Sequence, residues 1–215
     1  MMNSYWTEQD FHVFETEGLE ARMEALTTYV RPKFVQLGQD FSAYFSGETG
    51  DEFFPHVAKH MRRTVNPPND SWVAFAPYKR GYKAVPHFQI GLWKSHVFVI
   101  LAVIYEAPGK PQMANKLIQL DALQELPKNF VVSGDHMKPD AEELESLGEQ
   151  GIEKLLIRLR DVKKGELVIG RHLPKADALS LDKNGFYAFA EETFRDLLPI
   201  YRNLLEINEK TAVQR

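Results

Sequence analysis

Apolar side chains recur three or four residues apart along the first third of the chain, which predicts amphipathic helices. Thr7 is placed to cap a short first helix. A second helix runs up to Arg31-Pro32, where a proline is able to begin the next helix, and that third helix ends at Gly47. The shared buried stripe is Leu19, Met23, Leu26, Val30, Phe34, Leu37, Phe41 and Phe45. The same spacing over residues 54–63 predicts one more short helix, whose polar face carries His56, Lys59, His60 and Arg63.

The pattern changes to strand after the turn signal Asn66-Pro67-Pro68-Asn69. Strands are predicted over residues 72–77, 87–93 and 96–105, where they form an antiparallel meander. Beyond them we expect a helix near 112–126, a strand at 130–133, a helix at 140–162 interrupted at Gly148 and Gly151, a strand at 166–171, and a long C-terminal helix capped by Asp182 or Asn184. The predicted class is therefore α+β: a largely antiparallel or mixed sheet of about five strands covered by helices, with N-terminal helices preceding a three-stranded meander.

The two central strands present two different faces if Lys94-Ser95 is a two-residue hairpin loop. One face is wholly apolar and predicts core. The other face carries His87, Gln89, Gly91, Trp93, His96 and Ala102. Its small residues leave room, so this face is a candidate pocket lining. Two alternatives stay open: a helix covers this face and its polar groups bond internally, or a longer loop shifts the register, since Lys94-Ser95 is not a favoured turn pair.

Composition limits the class of protein. With 215 residues, 44% of them hydrophobic and 26% charged, the chain is predicted to be one globular domain over residues 1–215. The absence of cysteine excludes disulfides, thiolate nucleophiles and cysteine metal sites. The N-terminal residues do not resemble a signal peptide, and the longest apolar run has nine residues, fewer than the roughly 20 that a membrane-spanning helix needs. We therefore expect a cytoplasmic protein with no membrane partner. No feature of the sequence determines its oligomeric state.

Positive charge is concentrated in two segments of an otherwise acidic chain. The net charge is −4, yet residues 55–96 hold seven basic residues against Asp70, and residues 158–175 hold six against two acids. Four of the seven histidines also lie in the first segment. Such a distribution is able to focus positive potential on one place and attract a phosphate, a carboxylate or a nucleic-acid backbone. The alternative is that these are ordinary solvated side chains, paired with acids elsewhere.

These observations favour a binding or regulatory module for a small anionic, phosphorylated ligand. Arginine forks suit phosphate better than lysine alone. The residues expected to bind the anion or line the site are Lys59, Arg63, Lys79, Arg80, His87, Trp93, His96 and Arg171. Three alternatives are an enzyme that uses His87 or His96 as general acid or base, a single-stranded nucleic-acid binder that stacks bases on Tyr78, Tyr82 and Trp93, and an interaction protein without a pocket.

The standard catalytic and cofactor signatures are missing from the sequence. It contains no nucleotide-binding glycine motif and no nucleophile elbow. His56 and His60 have the spacing of a zinc pair, but Val57 stands where a zinc protease places its glutamate, and no third ligand is near. Ser133-Gly134-Asp135-His136 contains the residue types of a catalytic triad, but neighbours in sequence seldom point at one another, so a turn is predicted there. We accordingly predict no cofactor and no metal site.

Several stretches resemble a known family. They are Phe11–Phe14, Gly18–Met23, Phe54–His60, Arg63–Asp70 and Pro86–Trp93. Together they are similar to the YktB-like proteins of Gram-positive bacteria, over nearly the whole chain. The resemblance implies a compact α+β protein of the bacterial cytoplasm. It implies no activity and no site residues, because that family carries no assigned catalytic residues.

Overall fold

The computed structural model describes residues 4–213, with side chains described through residue 207. These residues form two compact units. Unit 1 contains residues 4–80, 89–99 and 172–191, and unit 2 contains residues 81–88, 100–171 and 192–213. No helix in the described part of the chain is long and apolar enough to cross a membrane.

The N-terminal helices follow the apolar stripe. Their bounds are α1 Glu8–His12, α2 Leu19–Ala25 and α3 Arg31–Thr49, with a 3-10 turn at Val13–Glu15. A π-helical turn over Leu26–Val30 joins α2 directly to α3. Pro32 has no N–H to donate to the carbonyl four residues earlier, and a wider turn at this point accommodates that loss. Helix α3 runs past the predicted end at Gly47 and stops at Gly50, whose φ of 81° only glycine adopts freely.

The sheet has seven strands rather than the predicted five, and the α+β class is confirmed. The strands are β1 Phe54–Val57, β2 Asp70–Ala76, β3 His87–Trp93, β4 His96–Val103, β5 Val131–Ser133, β6 Glu142–Glu143 and β7 Leu167–Pro174. Their order across the sheet is β1-β2-β3-β4-β7-β5-β6. The predicted meander corresponds to β2, β3 and β4, and the two strands that the pattern missed, β1 and β6, lie at the two edges.

The helix predicted over residues 54–63 is wrong. Phe54–Val57 is instead the edge strand β1, antiparallel to β2 with Phe54 opposite Ala76 and Val57 opposite Val73. Helix α3 packs closely against this strand, since a Cβ on Gly38 would lie 2.9 Å from the Cβ of Pro55. Long-range pairing and packing therefore override the local helical spacing, and an edge strand is the place where a sheet tolerates proline. The predicted basic helix face over residues 56–63 does not exist.

The remaining helices are α4 Lys110–Gln119, α5 Leu144–Asp161, α6 Lys175–Ala178 and α7 Lys183–Val213. Gly148 interrupts α5 as predicted, with φ at 63°, whereas the backbone at Gly151 stays helical. Asp182 is the cap of α7, because its Oδ1 accepts a hydrogen bond from the Gly185 N–H at 2.8 Å.

Each unit has an aromatic core. In unit 1, Phe45 and Phe75 from α3 and β2 lie 5.3 Å apart between ring centroids. In unit 2, Phe88 of β3 contacts Phe194 and Tyr201 of α7 at 5.4 and 4.8 Å. Every residue of β3 and β4 is buried, so both faces of this predicted hairpin belong to the interior.

Candidate functional site

The eight side chains predicted to form an anion site occupy three kinds of environment. Three are exposed on unit 1, namely Lys59, Lys79 and Arg80. Two arginines, Arg63 and Arg171, are half-buried and hydrogen-bonded within the protein. The other three, His87, Trp93 and His96, are buried, at 0%, 9% and 7% exposure. The structure therefore divides this set between surface and interior.

The hairpin face predicted to line a pocket is filled. Gly91 leaves no open space, because the ring tip of Phe98 lies where a Gly91 side chain would begin, 2.1 Å from an ideal Cβ position. In unit 2, His87 contacts the Val85 carbonyl through Nδ1 at 2.8 Å and the Tyr82 ring at 4.7 Å. The expectation that small residues here leave room is thus wrong, and the alternative of a covered face with internal polar contacts describes it better.

Two stacked histidines, one buried and one half-buried, lie near the turn of this hairpin. The rings of His96 and His172 stack at 4.0 Å with an interplanar angle of 22°, and Ser95 Oγ lies 2.8 Å from His96 Nδ1. Burial, and after it the proximity of His96, lowers the pKa of His172 to about 3. His172 is therefore neutral at neutral pH.

The two half-buried arginines bind protein groups. Arg63 donates from one guanidinium nitrogen to the carbonyls of Asn66 and Pro67, both at 3.3 Å. Arg171, in unit 2, forms an ion pair with Glu192 at 2.9 Å. These contacts occupy donors that the sequence analysis assigned to a ligand.

Residues 58–69, between β1 and β2, form an irregular but well-anchored segment that we call the basic loop. Its ends are held by hydrogen bonds from the Ala58 N–H to the Trp72 carbonyl and from Arg22 to the Pro68 carbonyl, both at 2.9 Å. His60 Nε2 lies 3.1 Å from Ser71 Oγ, and the His60 ring meets the Trp72 ring edge-on at 5.5 Å. The loop is thus an ordered part of unit 1.

Positive charge and apolar side chains share the outer surface of the basic loop. Lys59 and Arg62 are exposed beside Met61 and Val65, which are 84% and 75% exposed. No acidic residue occurs between Pro55 and Asn69. The loop therefore combines two open apolar side chains with cations that form no ion pair with the described residues.

Burial and neighbouring arginines both act on the ionisable side chains at the base of the loop. Burial lowers the pKa of His60 to about 4, and the nearby charges of Arg63 and Arg31 add to this effect. Burial and the charge of Arg63 likewise lower the pKa of Arg22. The smaller part of each shift comes from like charge, which places the Arg63 guanidinium close to both His60 and Arg22.

Lys79 and Arg80 belong to a different part of unit 1. They follow Ala76, the end of β2 that pairs with Phe54, whereas the basic loop joins the opposite end, where Val57 pairs with Val73. Three residues of strand separate these ends by about 10 Å. His56 bonds through Nε2 to the Tyr78 carbonyl at 2.9 Å, and His60 bonds to Ser71, so the two histidines do not form the zinc pair that their spacing allows.

A cluster of titratable side chains that the sequence did not predict lies in unit 2. The register of β5 and β7 places Ser133 opposite Val168, and continuing it brings Asp135 beside Glu166. His136 Nδ1 lies 2.7 Å from Glu166 Oε2. One donor atom each from Asp135, His136 and Glu166 lies within 4.8 Å of the others.

Glu166 is held firmly in this cluster. The His136 N–H donates to its Oε2 at 2.9 Å and the Tyr105 N–H to its Oε1 at 3.2 Å. Burial by itself would raise the pKa of this 3% exposed carboxyl, but the hydrogen bonds from His136 and Tyr105 outweigh it and lower the pKa below its usual value. Glu166 is therefore a buried carboxylate that is charged at neutral pH.

The sequence held one signal for this cluster, the run of residue types from Ser133 to His136. The turn predicted there is present, with Asp135 Oδ1 accepting from the Met137 N–H at 2.9 Å. The missing partner was Glu166, 30 residues beyond His136, which only strand pairing brings close. Local spacing contains no information on that pairing.

Comparison with known proteins identifies the family. Residues 6–201 match the family model described as Domain of unknown function (DUF1054). A UPF0637 protein of Lysinibacillus sphaericus is 61% identical over 197 residues, covering 91% of this chain and 93% of that protein. Relatives from Staphylococcus haemolyticus and Bacillus velezensis are each 48% identical, covering 90% and 94% of this chain and 96% and 97% of their own. The resemblance to the YktB-like proteins of Gram-positive bacteria is thereby confirmed, and the chain belongs to the DUF1054 family of UPF0637 proteins.

Proposed function

We propose that the protein binds a phosphate-bearing anion through the basic loop of unit 1. The observation that carries this proposal is the exposure of Lys59 and Arg62 on an anchored loop that has no acidic residue between positions 55 and 69. Anchoring matters because a preformed loop loses little conformational entropy when a ligand binds. This site shares Lys59 and Arg63 with the site expected from the sequence, and it does not include the buried His87 and His96.

The roles within the loop follow from its contacts. Lys59 and Arg62 point their charges to solvent and contact the anion directly. Arg63 keeps its hydrogen bonds to the Asn66 and Pro67 carbonyls. It therefore fixes the conformation of the loop and adds positive potential, but it does not contact the anion. Met61 and Val65 supply apolar contact to the organic part of the ligand.

The test compares two double variants that remove equal charge. Lys59→Ala/Arg62→Ala changes the basic loop, and Lys154→Ala/Lys164→Ala removes two exposed lysines of unit 2. Thermal unfolding is measured against pyrophosphate, ATP and a ten-nucleotide oligothymidylate. A probe at 100 times its dissociation constant stabilises the wild type by about 2.7 kcal/mol, a rise of roughly 5 to 10 °C in Tm.

We expect this rise to persist in the lysine control and to disappear in the loop variant. If Lys59 and Arg62 each contact one phosphate of the oligonucleotide, log K falls with log salt at a slope of about −1.4. Equal responses from the two variants would refute the site. If none of the three probes raises the Tm of the wild type, anion binding is refuted, and an interaction with a protein partner becomes the next hypothesis to test.

A further inference from the structure

The cluster of Asp135, His136 and Glu166 in unit 2 has the composition of a metal site. We propose that these three side chains bind one divalent transition-metal ion. This site is independent of the basic loop. It gives a metal-binding role to the turn that follows Ser133.

The distances already approach those of a coordination sphere. Donors about 2.1 Å from a metal ion lie about 3 Å from one another when they occupy adjacent positions. His136 Nδ1 and Glu166 Oε2 are 2.7 Å apart. The Asp135 carboxylate completes a set whose donors lie within 4.8 Å. Because the Asp135 side chain is 42% exposed, rotation of one surface side chain brings its oxygen into range.

The donor types select the class of ion. One imidazole nitrogen and two carboxylate oxygens suit Zn²⁺, Mn²⁺, Co²⁺ or Fe²⁺, whereas Ca²⁺ prefers oxygen ligands throughout. The His136 side chain is 21% exposed and Asp135 more so, which leaves the solvent side of the ion for water molecules.

The surroundings of Glu166 resemble the outer shell of a metal centre. The main-chain N–H groups of His136 and Tyr105 fix its carboxylate, as outer-shell donors do for metal ligands. In the absence of metal, His136 Nδ1 and Glu166 Oε2 contact each other directly at 2.7 Å. A metal ion would replace this contact and bind both atoms.

Neighbouring cations set the strength of binding. Lys138 lies 3.8 Å from Asp135, and the Lys110 ammonium, bound to the carbonyls of Val162, Lys163 and Gly165, acts on Glu166 through its charge. Arg158 donates to the Gly134 carbonyl at 2.9 Å. These charges oppose a bound cation, so we expect micromolar rather than nanomolar affinity.

The experiment measures binding of the metal itself. Full-length protein is treated with chelator, desalted and titrated with Zn²⁺ by calorimetry, and Co²⁺ is added in parallel to follow its visible absorption bands. We expect one Zn²⁺ per chain, with affinity at least tenfold lower in Asp135→Asn and in His136→Gln. The matched control is His12→Gln, which removes a histidine whose side chain is 55% exposed in unit 1 and leaves the affinity unchanged.

Folding does not obscure this result. The Asp135 side chain is 42% exposed, so Asp135→Asn is expected to unfold at the wild-type temperature. His136→Gln keeps the main-chain N–H that binds Glu166 but loses the ring contact, so its unfolding temperature is measured beside its metal affinity. Three results would each overturn the proposal. The first is a wild-type Zn²⁺ affinity in both Asp135→Asn and His136→Gln, the second is an equal loss of Zn²⁺ affinity in His12→Gln, and the third is no saturable Zn²⁺ binding by the wild type. A changed Co²⁺ spectrum in Asp135→Asn, with unfolding unaltered, would support direct ligation.

Discussion

The stacked histidines of unit 1 predict a specific loss of stability in mild acid. His172 packs against His96 at 4.0 Å between ring centroids, and burial and the neighbouring histidine lower its pKa to about 3. In the unfolded chain its pKa is near 6.5. Between these two pKa values, His172 binds a proton in the unfolded state but not in the folded state. Lowering the pH therefore favours unfolding.

The size and direction of the effect follow from the two pKa values. The stabilisation from a neutral His172 is fully present above pH 6.5 and is lost as the pH falls toward 3, at up to 1.36 kcal/mol for each pH unit. Between pH 7 and pH 5 this amounts to about 2 kcal/mol. His60, whose pKa burial lowers to about 4, adds a loss in the same range, so the assay has to isolate His172.

A difference measurement isolates it. Urea unfolding of the wild type and of His172→Gln is followed at pH 7, 6 and 5, and the difference in free energy of unfolding is compared across pH. We expect the wild type to lose about 2 kcal/mol relative to the variant over this range, because glutamine does not titrate. His12→Gln, which replaces an exposed histidine, serves as the control and should shift far less. A wild-type-minus-His172→Gln difference that stays constant from pH 7 to pH 5 would refute the reasoning.

Three further predictions concern stability. Gly91→Ala should cost about 1 to 3 kcal/mol in urea unfolding, because its Cβ collides with the Phe98 ring, and Phe98→Leu in the same chain should recover part of that cost. Lys110→Met should cost about 3 kcal/mol, since it leaves three carbonyls near the end of α5 without their donor; a loss under 1 kcal/mol would contradict this. Asp182→Ala should cost about 1 kcal/mol through the lost cap of α7, and Asp182→Asn should retain most of it.

The sequence predicts those elements whose pattern and burial agree. Strands β3 and β4 lie where their apolar runs placed them, and the apolar stripe of α3 is buried. The hairpin loop is Lys94-Ser95, as proposed. In such segments local preference and tertiary packing favour the same structure, so the periodicity of the sequence is sufficient.

Strand β1 shows where this agreement fails. Residues 54–63 have helical spacing of apolar positions, but an edge strand is stabilised by its partner and by the helix that packs on it. Here those are β2, in the register of Phe54 with Ala76, and α3, which approaches Pro55 at Gly38. The cited contacts with both partners join residues at least 16 positions apart along the chain, where no local pattern reports them.

The charge pattern fails for the same reason, and this decides which basic residues remain available to a ligand. A count along the sequence treats every lysine and arginine alike. In the structure Lys94 pairs with Glu15, Lys175 with Glu8 and Arg171 with Glu192, at 2.9, 2.6 and 2.9 Å. Each acid is distant in sequence, so the excess charge of the two basic segments is partly neutralised by the fold.

The basic loop differs from those pairs in a way that a charge count cannot reveal. Its half-buried arginine bonds to neutral carbonyls, which satisfy hydrogen bonds without cancelling charge. The charge of Arg63 is consequently not cancelled, and after burial it is the next cause of the lowered pKa values of His60 and Arg22. A cluster of cations held by carbonyls keeps its attraction for anions, whereas one held by carboxylates loses it, and on this ground we propose the loop at residues 58–69, rather than the more numerous charges around residues 158–175, as the anion site.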